Sequence, residues 1–406
     1  MNTLITSKNR LAYLDAVRAF ALILGIGFHA SLSFMPIFIG WAVMDISTSH
    51  VVSVFALVSH SFRMELFFLI AGFFSHMKYH QQGVQSFLSS RLVKIALPLI
   101  VGWFVLRPLI VSGWTMGAES LRGDVNIVNG LLAGLASFGE LPYGFLTGTH
   151  LWFLYYLLII SLSVVLLRYV IGFSSSLNRT LAAWGENIVG WLCRSPIGML
   201  VLIIPTALCL WFMENWGMDT PDKSLMPNMP IAILYTVFFL FGWLLHRQEN
   251  FIKNFAQITW LKLLACVLSI AATILLIDFE PQIEHPYYLH LKVSFMLSYA
   301  LMMWSLVALS IGVCERLFTR SDALLRYVAD SSYWLYLIHL PIVVWLQVAF
   351  AELPLHWLIK LTSISVITLL ISIVLYDLFV RSTWLGAILN GKRKSRALPT
   401  IASNIF

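Results

Sequence analysis

The stretch from Tyr13 to Leu32, YLDAVRAFALILGIGFHASL, is long and apolar enough to cross a bilayer, yet it carries Asp15, Arg18 and His29. Ionisable side chains inside a membrane span are expensive, so they face a bundle interior or a polar pathway. At about 100° per residue, the eleven steps from Arg18 to His29 return to within about 20° of one face. Asp15 and Gly25 fall on that face too. The rise between Arg18 and His29 is about 16 Å, roughly half the hydrocarbon thickness. With Arg18 at one membrane boundary, His29 lies near the midplane. Such a stripe either packs helices around one hydrogen-bonded histidine or lines a path with a cation at its mouth and an imidazole at depth. Three ionisable groups on one face are costly for packing alone, which favours the path.

The rest of the chain places this helix among others like it. Of 406 residues, 59% are hydrophobic and 11% charged, with a mean hydropathy of +0.84. A soluble domain carries about a quarter charged residues. Long apolar runs, not short alternating segments, exclude a membrane β-barrel and predict an all-α polytopic membrane bundle. Ten spans are expected, at about 12–34, 51–76, 92–112, 149–171, 196–214, 230–246, 258–277, 291–313, 331–351 and 356–379. Lys8 and Arg10 precede the first run without a small-residue cleavage site after it, so it reads as a retained span and not a signal peptide.

The net charge of +7 does not point to nucleic acid, because the basic residues fall in short loops between spans, where they set orientation. Arg107, Arg122, Lys223, Lys292 and Lys360 are the exceptions on the other side. Both termini are therefore expected in the cytoplasm. The longest polar interruption, 113–148 with Glu119, Arg122, Asp124 and Glu140, and the acidic loop 278–290 are expected to face outward. Residues 1–390 read as one transmembrane domain and 391–406 as a basic cytoplasmic tail. The spacing of the four cysteines suits neither a disulfide nor zinc, and no metal site is expected.

Four further segments carry chemistry. The second span reads HSFRMELFFLIAGFF from His60, with Arg63 and Glu65 inside it, and His60 and Arg63 share a face. Arg63 either pairs with a carboxylate elsewhere or orients a substrate oxygen with its planar fork. Gly72 in the same span allows close approach of a helix or ligand. The ninth span reads DSSYWLYLIHLPI, which sets His339 about 13 Å from the inner end. Pro341 should bend that helix and free a carbonyl. His339 taken alone suits a structural hydrogen bond; two histidines at one depth suit a shared site. Arg91 and Lys94 open the third span, as topology anchors or as a seat for phosphates. His150 and Trp152, in THLWFL, are expected at the outer surface where the fourth span opens, with Trp152 an interface aromatic. The lipase elbow, the P-loop and HExxH are absent. A deep histidine suits acid–base work near neutral pH.

In LDAVRA, GIGFHASL, HSFRMELFFLIAGFFS, THLWFL and LYLIHLPI, in this order, the chain resembles the acyltransferase family 3 integral membrane proteins over nearly its whole length. The key match is Arg18 and His29 with ten residues between them. Within the family, the sequence looks closest to the branch that succinylates osmoregulated periplasmic glucans. The resemblance implies transfer of an acyl group from cytoplasmic acyl-CoA, succinyl-CoA or acetyl-CoA, to sugar hydroxyls of a periplasmic glucan, with acyl-CoA a co-substrate and no bound cofactor.

His29 then matches the family's essential histidine and Arg18 its paired arginine, while Arg63 and His339 match the second-span arginine and the late histidine. Arg18, Arg91 and Lys94 would hold the acyl-CoA; lysine at the last position gives up the bidentate phosphate fork. Direct transfer by His29 as base and passage through an acyl-histidine are both open. Two other functions fit the same residues: O-acetylation of lipopolysaccharide or exopolysaccharide, and transport of a polysaccharide or acyl group without chemistry. The partners expected are the acyl-CoA donor, the glucan acceptor and the surrounding membrane lipids, and not nucleic acid.

Overall fold

The computed structural model describes residues 11–120, 125–142, 144–320 and 322–397. Lys8, Arg10, Arg122, Asp124 and the end of the basic tail lie outside them. Among the described residues there are helices and no strands. In order they are α1 Ala12–Ser31, α2 His50–Arg91, α3 Leu97–Ser120, α4 Ile127–Ala136, α5 Trp152–Gly172, α6 Ser175–Arg194 and α7 Gly198–Trp211. There follow α8 Met229–Leu245, α9 Glu249–Ala256, α10 Trp260–Ile277, α11 Tyr288–Leu317, α12 Ala323–Phe350, α13 Trp357–Leu375 and α14 Trp384–Asn390.

Among the described residues, seven helical stretches are long and apolar enough to cross a membrane, and eight if the bent pair α6–α7 is one span. That count takes His50–Ser120 as a single stretch. Inside it, Gly83 has φ +76°, and Arg91 Nη2 donates to Ser75 Oγ at 2.6 Å. Sixteen residues of straight helix would hold these two about 24 Å apart. The chain therefore doubles back at Gly83 within α2, and residues 50–82 and 84–120 are the two legs of a hairpin.

Two segments differ from their sequence reading. About half of the interruption expected at 113–148 is helical: α3 continues to Ser120, and α4 folds back along it. Gly130 and Gly134 of α4 lie against Met116, Ser112 and the Pro108 carbonyl, so these glycines make a helix contact and not a loop. The stretch ahead of the fifth expected span is the amphipathic helix α6, which meets α7 at 112°.

The core is built on close approach. Gly72 of α2 sits against the Phe239 carbonyl of α8, and Gly242 of α8 against the Leu69 carbonyl of α2. A Cβ at either position would overlap backbone, so the helix that Gly72 admits is α8. Trp304 of α11 stacks on Phe238 of α8 at 4.0 Å and donates to Thr206 Oγ1 of α7 at 2.9 Å. The connection 35–49 folds over the end of α1 through Asp45 N to Ser33 O at 2.8 Å and Ser49 N to Phe34 O at 3.0 Å. Lys360 of α13 fastens it, with its ammonium 2.7 Å from Asp45 Oδ1 and both side chains buried. Burial pushes the Asp45 carboxyl up from its ordinary range, and the bond to Lys360 pulls against that.

Candidate active site

A cavity of about 700 Å³ runs between α1, α2, α5 and α12. Arg18 and His29 both line it, as their shared helix face requires. At the deep end three imidazoles meet. The His29 and His339 ring centroids are 5.3 Å apart, and those of His339 and His150 are 5.2 Å apart.

Backbone carbonyls of α12 set two of these rings. His339 Nδ1 donates to Tyr336 O at 2.7 Å and Leu335 O at 3.2 Å. His150 Nε2 donates to Tyr336 O and Leu337 O, both at 3.0 Å. Leu337 lies four residues before Pro341, so its carbonyl is the one that the missing proline N–H leaves free. Tyr336 closes the loop by donating to His150 O at 2.8 Å. With one N–H held by a carbonyl, neutral His150 and His339 each present their other nitrogen as an acceptor. His150 Nδ1 is buried without a partner, and so is His29 Nδ1.

Arg63 lines the same end, only 6% exposed. Its guanidinium lies 4.2 Å over the Phe28 ring, and Nη1 has no hydrogen-bond partner. The expected alternative, an ion pair with a carboxylate, is not formed among the described residues. Glu65, two positions on and on another face of α2, is fully buried outside the cavity, with neither oxygen hydrogen-bonded. His60 is within 3.1 Å of Thr220 Oγ1 on the 212–228 connection, which places Thr220 at this end of the cavity.

The other end is cationic. Arg18 Nη2 donates to Ser332 Oγ at 3.4 Å, and Arg18 Nη1 lies 3.7 Å from Asp15 Oδ1. Arg91 stacks 4.5 Å over Phe87, and the Lys94 carbonyl accepts from Tyr333 at 2.5 Å. Lys78, Lys392 and Lys394 line the cavity beside them, the last paired with Asp330. These three lysines were not among the site residues expected from sequence.

The fourth-span expectation needs correcting. His150 is at depth beside His339 and not at an outer surface, and Trp152 lines the cavity and stacks on Tyr235 at 6.0 Å. The chain returns to this depth because α3 holds it there. Trp103 Nε1 donates to Thr147 O at 2.9 Å, and Arg107 donates to the carbonyls of Ser137 and Glu140. The signal available in the sequence was a histidine directly before an apolar run.

The chain is similar to known proteins over nearly its whole length. Glucans biosynthesis protein C of Escherichia coli (strain K12) is 23% identical over 389 residues, 94% of each chain. Its counterpart in Escherichia coli O139:H28 (strain E24377A / ETEC) matches to the same extent. No solved structure matches. The family model for the acyltransferase domain matches residues 11–377, and with that span of agreement over an all-helical, multi-pass membrane bundle, the chain belongs to acyltransferase family 3.

Proposed function

We propose that this protein moves a succinyl group from cytoplasmic acyl-CoA to sugar hydroxyls of a periplasmic glucan, across the inner membrane. The observation that carries the reading is one cavity with cations at one end and a cluster of imidazoles at the other, joined along the Arg18–His29 face of α1. Arg18, Arg91 and Lys94 would seat the CoA phosphates, and the pantetheine arm would follow α1 inward, so that CoA need not cross. His29 would take the proton from the sugar hydroxyl as its oxygen attacks the thioester carbonyl; the C–S bond then breaks and the thiolate recovers that proton as CoA-SH. Arg63 is the nearest cation for the developing oxyanion. His339, with its N–H held by Tyr336, would orient the hydroxyl as an acceptor and not donate to the oxyanion.

Ten crossings with both termini cytoplasmic complete the proposal. The hairpin at Gly83 and the buried 17-residue α8 support the number, and the basic loops support the orientation. The glucan acceptor follows the relatives' name, and the succinyl group follows the branch of the family that the motifs resemble. Membranes containing the protein should label periplasmic glucan from labelled succinyl-CoA, and mass analysis should show the substituent only when the protein is present. Label arriving from acetyl-CoA on lipopolysaccharide would replace the reading with O-acetylation. Glycan movement without modification would replace it with transport.

A further inference from the structure

Within α1 the His29 ring meets the edge of Phe28, 5.1 Å between centroids, and the last turn offers the His29 carbonyl the Leu32 N–H. Gln347 of α12 adds a second hold. It is 1% exposed, and its Nε2 donates to His29 O at 2.9 Å and Ala30 O at 3.1 Å. Its Oε1 accepts from Trp41 Nε1 at 2.9 Å. The Trp41 ring in turn lies nearly parallel to the His29 imidazole, 18° between planes and 5.7 Å between centroids. Trp114 braces Trp41 edge-on at 5.1 Å. One amide thus holds both the backbone that carries His29 and the ring that stacks on it.

We propose that Gln347 and Trp41 are the positioning residues for His29, fixing its ring against the cavity for proton transfer. This rests on His29 acting as the base. The side-chain chemistry is specific: only an amide supplies donors to two carbonyls and an acceptor to an indole from the same group. Glutamate would keep the acceptor and turn an anion toward two carbonyls, and methionine would keep the volume and lose every bond. The indole face has a second effect. When His29 takes a proton, the imidazolium lies against an aromatic ring that attracts cations. Trp41 therefore favours the protonated intermediate as well as the ring's orientation.

The test is donor and acceptor kinetics on purified Gln347→Met, Trp41→Phe, Trp41→Ala and the Gln347→Met/Trp41→Phe pair, with a melting curve for each. Displacing a catalytic group by about 1 Å lowers turnover about a hundredfold. Gln347→Met and Trp41→Phe should each lower kcat by about tenfold to a hundredfold, with donor KM within about twofold. The pair should fall no further than its worse member, since both act on one ring. Trp41→Ala should fall below Trp41→Phe, because the stack is lost as well as the hydrogen bond. Wild-type kcat in the single variants, a loss seen in KM alone, or losses that multiply in the pair would overturn the proposal. If Gln347→Met does not fold, the two Trp41 variants carry the comparison. Full activity in His29→Ala would instead remove the base assignment, an outcome distinct from a dead His29→Ala beside an unaffected Gln347→Met.

Discussion

Lys360→Met isolates the fastening that holds the Trp41-bearing connection over α1. The Lys360–Asp45 pair is 2.7 Å long and both side chains are fully buried. After the substitution the Asp45 carboxylate keeps only the Ser47 N–H, at 2.8 Å. Removing one partner of a buried ion pair destabilises by about 3–5 kcal/mol, because an uncompensated charge stays behind. Replacing both partners with apolar residues is often neutral or better. Burial already pushes the Asp45 carboxyl up, with desolvation exceeding the pull of Lys360, so the carboxylate is poorly compensated even in the native pair. Asp45→Leu/Lys360→Met should therefore recover at least half of the single variant's deficit.

The sign of the pH dependence follows from the same shift. A carboxyl whose folded pKa is raised contributes stability that is lost as pH rises through that pKa. Removing Lys360 takes away the lowering influence, so the deficit should be larger near pH 8 than near pH 5. Unfolding in mixed micelles, followed by tryptophan fluorescence at both pH values, measures all of this. A single-variant deficit under about 1 kcal/mol, a double variant no better than the single, or a deficit that grows on acidification would refute the reasoning.

Three further outcomes are expected. His29→Ala should abolish glycan acylation while the protein inserts and melts normally, as read by mass analysis of glucans and by a thermal scan. Lys94→Ala should raise the donor KM with a smaller effect on kcat, and Arg18→Ala should do more because Arg18 also lines the route to His29; donor titration in nanodiscs checks both, and unchanged KM in both would move the CoA seat elsewhere. Gly72→Ala should destabilise by about 1–3 kcal/mol, since its Cβ would overlap the Phe239 carbonyl of α8, and thermal unfolding in detergent measures the loss.

The parts legible in the sequence share one property: they lie within single helices of regular period. Arg18 and His29 could be put on one face, and His339 at a matching depth, by counting along their own helices. The closeness of Gly72 to another helix was readable because a bare glycine in an apolar span has few other uses. His150 was misplaced because its depth is set by tertiary structure. Its position depends on the irregular segment before α5 being drawn to the level of Trp103 and Arg107. Irregular backbone at membrane depth survives only where protein satisfies its carbonyls or it lines a cavity, and no periodicity announces that. Arg107, read as an outer-side charge, satisfies two of them, at Ser137 and Glu140, and Trp103 a third, at Thr147. The glycines of α4 misled for a related reason: at Gly130 and Gly134 they serve packing against α3, while composition alone suggested a loop.

The three imidazoles are not equivalent, and their backbone bonds separate their roles. His339 and His150 each have one nitrogen tied to α12 carbonyls, which fixes tautomer and ring angle together. Such a ring can accept a hydrogen bond steadily, but reorienting it would strand a buried carbonyl. The His29 ring has no hydrogen bond among the described residues; Gln347 holds its backbone and Trp41 its ring face. Its Nδ1 is buried without a partner, which leaves Nε2 as the nitrogen that can meet a substrate. A base in acyl transfer must take a proton from one partner and return it to another within a single turnover. A histidine held by stacking and by its backbone can do so, whereas two held through their N–H groups suit accepting a hydrogen bond; under the proposed function they would align the hydroxyl that His29 would deprotonate.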